Sequence, residues 1–235
     1  FARRQLGDVR QFSPAEVGLD WLMELVGRLE GDYHHFAVDY LLKAFVPADF
    51  APRGEGGEAE GATQAGCEHL WEMITSEGEP DEPRRQFAMT YVRHHHVELG
   101  QALTGQEVEA RAQMPQAFFS FERVEPLLRD ERRALRKLAC DISRWELARW
   151  SPPLHDIVEL CELPYADITE FFEEAFMAPE LKETQAYRLG REHLTVDGVY
   201  RFCESLDRGT RRIGMALIAR YKDLAEPEAL FRLTE

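Results

Sequence analysis

Three consecutive histidines are the residues of this chain whose type and spacing most directly suggest chemistry. His94, His95 and His96 lie in the stretch TYVRHHHVELG, residues 90–100. Imidazole nitrogens bind transition metals and exchange protons near neutral pH. Successive residues of an α-helix point roughly 100° apart, so a regular helix cannot aim all three rings at one ion. The run therefore predicts three separate roles and not one three-histidine site.

Hydrophobic periodicity assigns those roles. The helix predicted over about 84–103 has a buried stripe at three- and four-residue spacing, and His95 lies on that stripe. His94 lies at the edge of the stripe, and His96 lies on its other flank. We expect His95 in the core and the other two histidines at the surface.

A metal centre is the alternative interpretation of these histidines. Glu98 follows His94 by four residues, and Asp39 follows His35 by four. Two helices that each contribute a histidine and a carboxylate form half of a bundle-type iron, manganese or zinc site. Lys43 continues the stripe of His35 and Asp39, which favours a solvent-facing position. We expect no catalytic residue, cofactor or metal, with a metal-dependent helical enzyme as the alternative.

A further interpretation gives the same helix a ligand pocket. His95 and Tyr91 lie on the buried stripe and, together with tryptophans, could line a small-molecule or haem site. Such a site would show itself through an absorption band or a ligand that purifies with the protein.

The helical signals that position these residues run along the whole chain. The stretch SPAE at 13–16 is typical of a helix start, and Trp21 then falls on a repeating apolar stripe. The stretch TGQE at 104–107 predicts another helix start. Strand-like alternation with turn residues is absent from the sequence. We predict an all-α fold: an irregular multi-helix domain of about eight to ten helices, with several short helical hairpins.

Composition divides the chain into few parts. Residues 1–12 form a basic N-terminal arm with three arginines and one aspartate. Residues 13–235 are expected to form one helical domain. Residues 51–66, APRGEGGEAEGATQAG, contain no large hydrophobic residue, so we predict a flexible acidic loop inserted in that domain.

The net charge limits the classes of partner. The chain of 235 residues carries a formal charge of −15. Such a surface repels nucleic acid and anionic membranes, so we expect no nucleic-acid partner. No run of 18 apolar residues is present, so we expect no transmembrane segment. A protein partner should be neutral or should present a basic patch.

The cysteines and the N-terminus bear on the compartment. The four cysteines form no C-x-x-C pair and lie among apolar residues, which favours reduced thiols in an intracellular compartment. The arginine-rich start, which does not begin with Met, is consistent with a processed organellar leader and a mitochondrial matrix location.

Two aromatic segments exceed what one buried helix face requires. Residues 117–121 and 171–177 contain Phe118, Phe119, Phe121, Phe171, Phe172, Phe176 and Met177. Apolar side chains rimmed by charge are typical of protein–protein contacts. We therefore predict a noncatalytic interaction or scaffold subunit of a larger assembly, with other protein subunits as its partners, and these seven residues as the contact surface.

Overall fold

The computed structural model describes residues 14–28, 31–52, 59–76, 82–179 and 187–227. In these ranges 77% of the residues are helical and no strand is present. The all-α prediction is confirmed. The basic arm at 1–12 lies outside the described residues, as do residues 53–58 of the predicted loop.

The chain divides into two compact units, Phe1–Phe118 and Phe119–Glu235, and each is described by itself. The described residues of the first unit form α1 (Pro14–Val17), α2 (Leu19–Val26), α3 (Gly31–Ala44), α4 (Ala59–Thr75), α5 (Glu82–His95) and α6 (Val97–Thr104). Those of the second unit form α7 (Phe121–Leu128), α8 (Arg133–Trp150), α9 (Leu154–Cys161), α10 (Ala166–Met177), α11 (Val196–Glu204) and α12 (Arg208–Arg220).

The described residues contain twelve α-helices, more than the eight to ten expected. Part of the difference arises because predicted helices are divided. Gly18 has a φ of +81° and separates α1 from α2. This backbone conformation is left-handed and cannot continue a right-handed helix. The histidine helix is also divided, at His96, where the backbone is extended.

The predicted loop at 51–66 is shorter than its composition indicated. Residues 59–66 belong to α4, which continues through the predicted helix at 67–75. Alanine and glutamate favour helix, and the buried second half of α4 supports the first. A stretch without large hydrophobic residues was therefore not enough to predict a loop.

Close backbone contact holds α4 against a short 3₁₀ turn at Pro47–Phe50. Gly66 is buried, and a Cβ atom at this position would lie only 1.8 Å from the carbonyl oxygen of Pro47. This 3₁₀ turn places Phe50 in the core, where the centroid of its ring lies 4.8 Å from that of the Tyr91 ring. The glycine therefore sets the distance between α4 and the aromatic core of the first unit.

Two buried threonines tie three helices of the second unit together. The hydroxyls of Thr169 on α10 and Thr210 on α12 both donate to the carbonyl oxygen of Cys161, at 3.1 and 2.8 Å. This carbonyl belongs to the last residue of α9, where no further helical N–H is available. The polar end of α9 is thus satisfied inside the core.

A buried arginine closes the start of α8. Arg136 donates to the carbonyl oxygens of Asp130 and Glu131 at 2.9 and 2.8 Å, and to the carboxylate of Asp167 at 3.0 Å. Its guanidinium also lies 3.9 Å from the centre of the Tyr165 ring. Only Arg could make these planar, multiple contacts at once.

The cysteines make no disulfide. Cys67, Cys161 and Cys203 are buried and Cys140 is half-buried. Burial raises the pKa of the Cys140 thiol to about 12 and that of Cys203 to about 11. These thiols therefore pack as apolar groups, as the sequence indicated.

The two glycines of α4 provide a matched test of its packing. We expect Gly66→Ala to lower the free energy of unfolding by about 1–3 kcal/mol, because the new methyl group would overlap the Pro47 carbonyl. A Cβ at Gly61 meets nothing within 4 Å. Gly61→Ala should therefore raise stability by about 1 kcal/mol through helix propensity alone. Urea unfolding of both variants measures the difference, and equal effects would contradict this packing.

Neighbouring cations on α8 provide a second matched test. Arg136→Met should destabilise the protein by about 2 kcal/mol, because two carbonyls and a carboxylate lose their donor. Lys137 is 70% exposed and pairs with Asp141 at 3.1 Å. Lys137→Met should cost less than about 1 kcal/mol, as is usual for surface pairs. Thermal and urea unfolding compare the two variants.

Candidate functional site

The histidine run straddles the end of a helix. His95 is the last residue of α5, and His96 is the N-cap of α6. The ring nitrogen Nδ1 of His96 accepts a hydrogen bond from the N–H of Leu99 at 3.4 Å. His96 is only 1% exposed, so its predicted surface position was wrong. The prediction extended the periodicity of α5 to residue 96, but α5 ends at His95.

His95 is buried, as its place on the apolar stripe predicted. It is 5% exposed, and its ring stacks on Tyr91 with the centroids 3.9 Å apart. Its Nδ1 atom lies 2.8 Å from the carbonyl oxygen of Ala112. Its Nε2 atom is buried without a hydrogen-bond partner.

The surroundings of His95 disfavour its protonated form. Burial is the main cause of a pKa of about 4 for His95, and the nearby His94 acts in the same direction. The carbonyls of Ala112 and Leu42 act in the opposite direction but do not compensate. Burial also lowers the pKa of half-buried His94. Both rings are therefore neutral at physiological pH.

Tyr91 fixes the position of the His95 ring by stacking against it. The Tyr91 hydroxyl donates to the carbonyl oxygen of Phe45 at 2.9 Å, and the side chain is fully buried. Burial, with a smaller contribution from the charge of Asp49, raises the pKa of Tyr91. The phenol is thus a fixed, neutral donor that positions His95 and does not titrate.

A tight reversal after His95 brings a loop over its ring. A Cβ atom at Gly100 would lie 2.2 Å from the carbonyl oxygen of His94, so only glycine allows α6 to pack this closely. The helix α6 then ends at Thr104 and is capped by Gly105, whose φ is +70°. The N–H of Met114 donates to the His95 carbonyl at 2.9 Å and ties the loop back to α5.

These elements line a half-open pocket of about 330 Å³, which we call the His95 cavity. The carboxyl end of α3, the end of α5 and the loop after α6 supply its walls. The apolar members of the lining include Leu42, Phe45, Val46 and Val108, and the charged members are Asp39, Lys43, Glu107, Glu109 and Arg111.

The loop residues of this cavity were missed by the sequence reasoning. TGQE was interpreted as a helix start, whereas Thr104 ends α6. The Thr104 hydroxyl donates back to the carbonyl oxygen of Gly100 at 2.8 Å. Gly105, directly after an apolar-periodic segment, was the signal for a helix end. A capping-box pattern, which predicts a helix start, overlaps here with a glycine that is typical of a helix end. The structure shows a helix end.

The four residues of the alternative metal site are only partly brought together. Asp39 and His94 both line the His95 cavity. His35 is exposed, and Glu98 lies 3.6 Å from Nδ1 of His96. Among the described residues, no three of these four have ligand atoms within 4.8 Å of one another. The predicted two-pair bundle site is not assembled.

The aromatic segments proposed as a contact surface are mostly buried. Phe171, Phe172 and Phe176 lie on α10 within the core of the second unit, and Phe118 and Phe119 are also buried. Phe121 and Met177 are half-buried. Because α8, α9 and α12 pack against α10, its aromatic residues do not form an exposed patch.

An open groove of about 810 Å³ lies elsewhere in the first unit; we call it the Trp21 groove. It is bounded by α2, the residues around Phe50, the second half of α4 and the start of α5. Trp21 is 43% exposed, although periodicity placed it on a buried stripe. The lining consists of Gly18, Leu19, Asp20, Trp21, Met23, Asp49, Phe50, Ala51, Pro52, His69, Met73 and Arg84.

Comparisons with known proteins do not extend this description. No family model, curated protein or solved structure shows significant similarity to the chain. Across the described ranges, no helix combines the length and apolar character that crossing a membrane requires.

The neutral state of His95 predicts a specific dependence of stability on pH. The folded protein holds the pKa of His95 near 4, below the value of about 6.5 expected in the unfolded chain. As the pH falls below 6.5, His95 therefore becomes protonated in the unfolded state while it stays neutral in the folded state. The contribution of neutral His95 to the free energy of unfolding is therefore complete above about pH 6.5. It decreases as the pH falls to about 4.

The variant His95→Phe isolates this effect because it keeps a ring on Tyr91 and removes the titrating group. The free energy of unfolding of the wild type, minus that of the variant, should fall by up to about 3 kcal/mol between pH 6.5 and pH 4. Urea unfolding across this range measures it. A difference that does not change with pH would show that His95 titrates normally.

Proposed function

We propose that the protein is a noncatalytic interaction subunit of a larger assembly, and that its partner binds in the Trp21 groove. The observation that carries this proposal is the exposed indole of Trp21 beside an open groove with apolar walls. Tryptophan is enriched among residues that dominate binding energy at protein interfaces. The exposed groove replaces the buried aromatic segments as the proposed contact surface.

The composition of the groove favours an adaptable protein contact. Met23 and Met73 line it together with Trp21. Methionine side chains are unbranched and polarisable, so they adjust to the shape of an incoming apolar residue. A partner helix or extended segment could bury several apolar side chains against this surface.

Two ionisable groups of the groove, Asp49 and Arg84, have structural roles that support a noncatalytic function. The Asp49 carboxylate accepts a hydrogen bond from the N–H of Val46 at 2.8 Å and caps the 3₁₀ turn. The Arg84 guanidinium donates to the carbonyl oxygen of Met23 at 3.2 Å. These contacts position the walls and leave the groove to bind by shape and apolar contact.

Charge defines the kind of partner. Asp20 and Asp49 are exposed carboxylates of the lining, and the whole chain carries a charge of −15. A segment with apolar residues and at least one basic side chain would complement this surface and would be attracted over long range. We therefore propose a basic, amphipathic segment of another protein as the occupant.

Peptide display tests this proposal without a known partner. A random library of 16-residue peptides on phage is selected against the immobilised protein. We expect enriched peptides to combine apolar residues with Arg or Lys. Binding of these peptides should fall at least tenfold in Trp21→Ala, because the main apolar contact is lost. Asp20→Lys should weaken the basic peptides further at low salt.

The matched control is an exposed apolar residue outside the groove. Leu206, in the second unit, is 95% exposed, so Leu206→Ala removes a similar surface group. Its peptide binding should equal that of the wild type. Enrichment of acidic peptides, or equal losses in Trp21→Ala and Leu206→Ala, would contradict the proposal.

A further inference from the structure

We propose that α12 binds duplex DNA as the second helix of a helix-turn-helix, with its exposed arginines in the major groove. The residues concerned lie in the second unit and line no part of the Trp21 groove. The inference therefore does not depend on the proposed interaction function.

Helices α11 and α12 form a tight hairpin. α11 ends at Glu204 and α12 begins at Arg208, so three residues join them. Helix-turn-helix motifs use a connection of three or four residues and insert their second helix into the major groove. A Cβ atom at Gly214 would lie 2.7 Å from Sγ of Cys203, so α12 packs directly on α11. The hairpin therefore has the short connection and the close packing of this motif.

Hydrogen bonds fix the turn and the start of α12. The Arg211 guanidinium donates to the carbonyl oxygens of Ser205 and Leu206 at 2.7 and 2.8 Å. The Asp207 carboxylate accepts a hydrogen bond from the N–H of Thr210 at 2.8 Å and caps the helix. Because the turn is already ordered, little conformational entropy is lost when α12 binds a ligand.

The two faces of α12 differ in chemistry. One face is buried in the core and consists of Thr210, Ile213, Gly214, Leu217 and Ile218. The opposite face exposes side chains at helical spacings of three and four residues, namely Arg208, Arg211, Arg212 and Met215. These four residues span about 10 Å along the helix axis, which corresponds to about three base pairs of DNA.

The exposed face is strongly basic. Residues 208–222 contain five Arg or Lys side chains and no carboxylate. Among the described residues, none forms a hydrogen bond or an ion pair with the Arg208 guanidinium. Both bonds of Arg211 to the turn come from Nη1 and go to neutral carbonyls, so its charge and its other donors remain available. Arg208 and Arg211 can therefore bind phosphate groups or base edges.

Two carboxylates limit the attraction. Glu173 on α10 pairs with Arg212, and Asp207 is an exposed carboxylate directly before Arg208. We therefore expect Arg208 and Arg211 to make most of the contact with DNA. The affinity should lie in the range of non-specific DNA binding, about 10⁻⁴–10⁻⁶ M at physiological salt.

The net charge of −15 describes the whole chain and not one surface. Charges further from the DNA than the Debye length, about 8 Å at physiological salt, are largely screened. Helix α10 shows the contrast, because it carries four carboxylates that would repel phosphates, Asp167, Glu170, Glu173 and Glu174. The expectation of no nucleic-acid partner followed from the total charge and not from its distribution.

The geometry favours duplex DNA over other polyanions. An α-helix with its side chains is about 10–12 Å wide and fits the major groove of B-DNA, which is about 12 Å across. Arginine can bind the O6 and N7 atoms of guanine there with two parallel hydrogen bonds. The major groove of A-form RNA is too narrow to be entered in this way. An anionic membrane would require an exposed apolar helix face, whereas the apolar face of α12 is buried.

Fluorescence anisotropy of the full chain with a labelled DNA duplex of about 20 base pairs tests this proposal. We expect binding at about 50 mM salt that weakens about tenfold at about 150 mM salt, because about two to three phosphates are contacted. Arg208→Gln should weaken binding and should reduce the slope of log K against log[salt] by about one.

The matched control is Arg133→Gln, because Arg133 is an exposed arginine of α8 in the same unit. It should bind DNA like the wild type, and an RNA duplex of the same sequence should bind the wild type more weakly than DNA does. Three results would overturn the proposal: no binding of the wild type at low salt, equal binding of RNA and DNA, or equal effects of Arg208→Gln and Arg133→Gln. Poly-L-glutamate that binds as tightly as DNA would assign α12 to an acidic protein partner in its place.

Discussion

The close approach of Gly100 to the carbonyl of His94 is the constraint on which the first unit's histidine region depends. A side chain at this position would overlap both that carbonyl and Val108. With glycine, the chain turns back immediately after α5, so His96 caps a new helix and does not extend the old one. The same reversal carries the following loop over His95 and brings the Ala112 carbonyl to Nδ1. The absence of a side chain at Gly100 thus determines the different environments of the three histidines and the cavity beside them.

Arginine has a consistent role throughout this acidic chain. Of its 28 basic residues only four are lysine. Arg85 donates to the carbonyl oxygens of Ile74 and Ser76 where α4 ends, and Arg220 donates to that of Phe176 on α10. Carbonyls at helix ends have no helical donor and carry partial negative charge. Backbone carbonyls are therefore prominent partners of arginine in the described residues. Short helices with many ends need many such donors.

Periodicity predicted which residues lie on a helix face, but not what covers that face. It placed His95 in the core correctly, because α5 continues through that residue. It also placed Trp21 on a buried stripe, yet the side chain is 43% exposed beside the groove. Conversely, the phenylalanines of α10 exceeded one face and suggested a surface, but neighbouring helices bury them. Which helices become neighbours depends on long-range packing and on backbone contacts such as those of Gly66 and Gly100. Local sequence patterns do not encode those contacts, so the helical class was predictable and the location of the cavity was not.

The buried cysteines make the packing of each unit observable by a simple chemical reaction. Only a thiolate reacts quickly with an alkylating reagent, and the raised pKa of buried Cys203, about 11, leaves almost none at neutral pH. In the folded protein such reagents should act slowly, and transient opening should control their rate. Cys67 lies in the first unit, while Cys161 and Cys203 lie in the second. The native chain therefore already carries separate reporters of local unfolding in its two halves, without an added label.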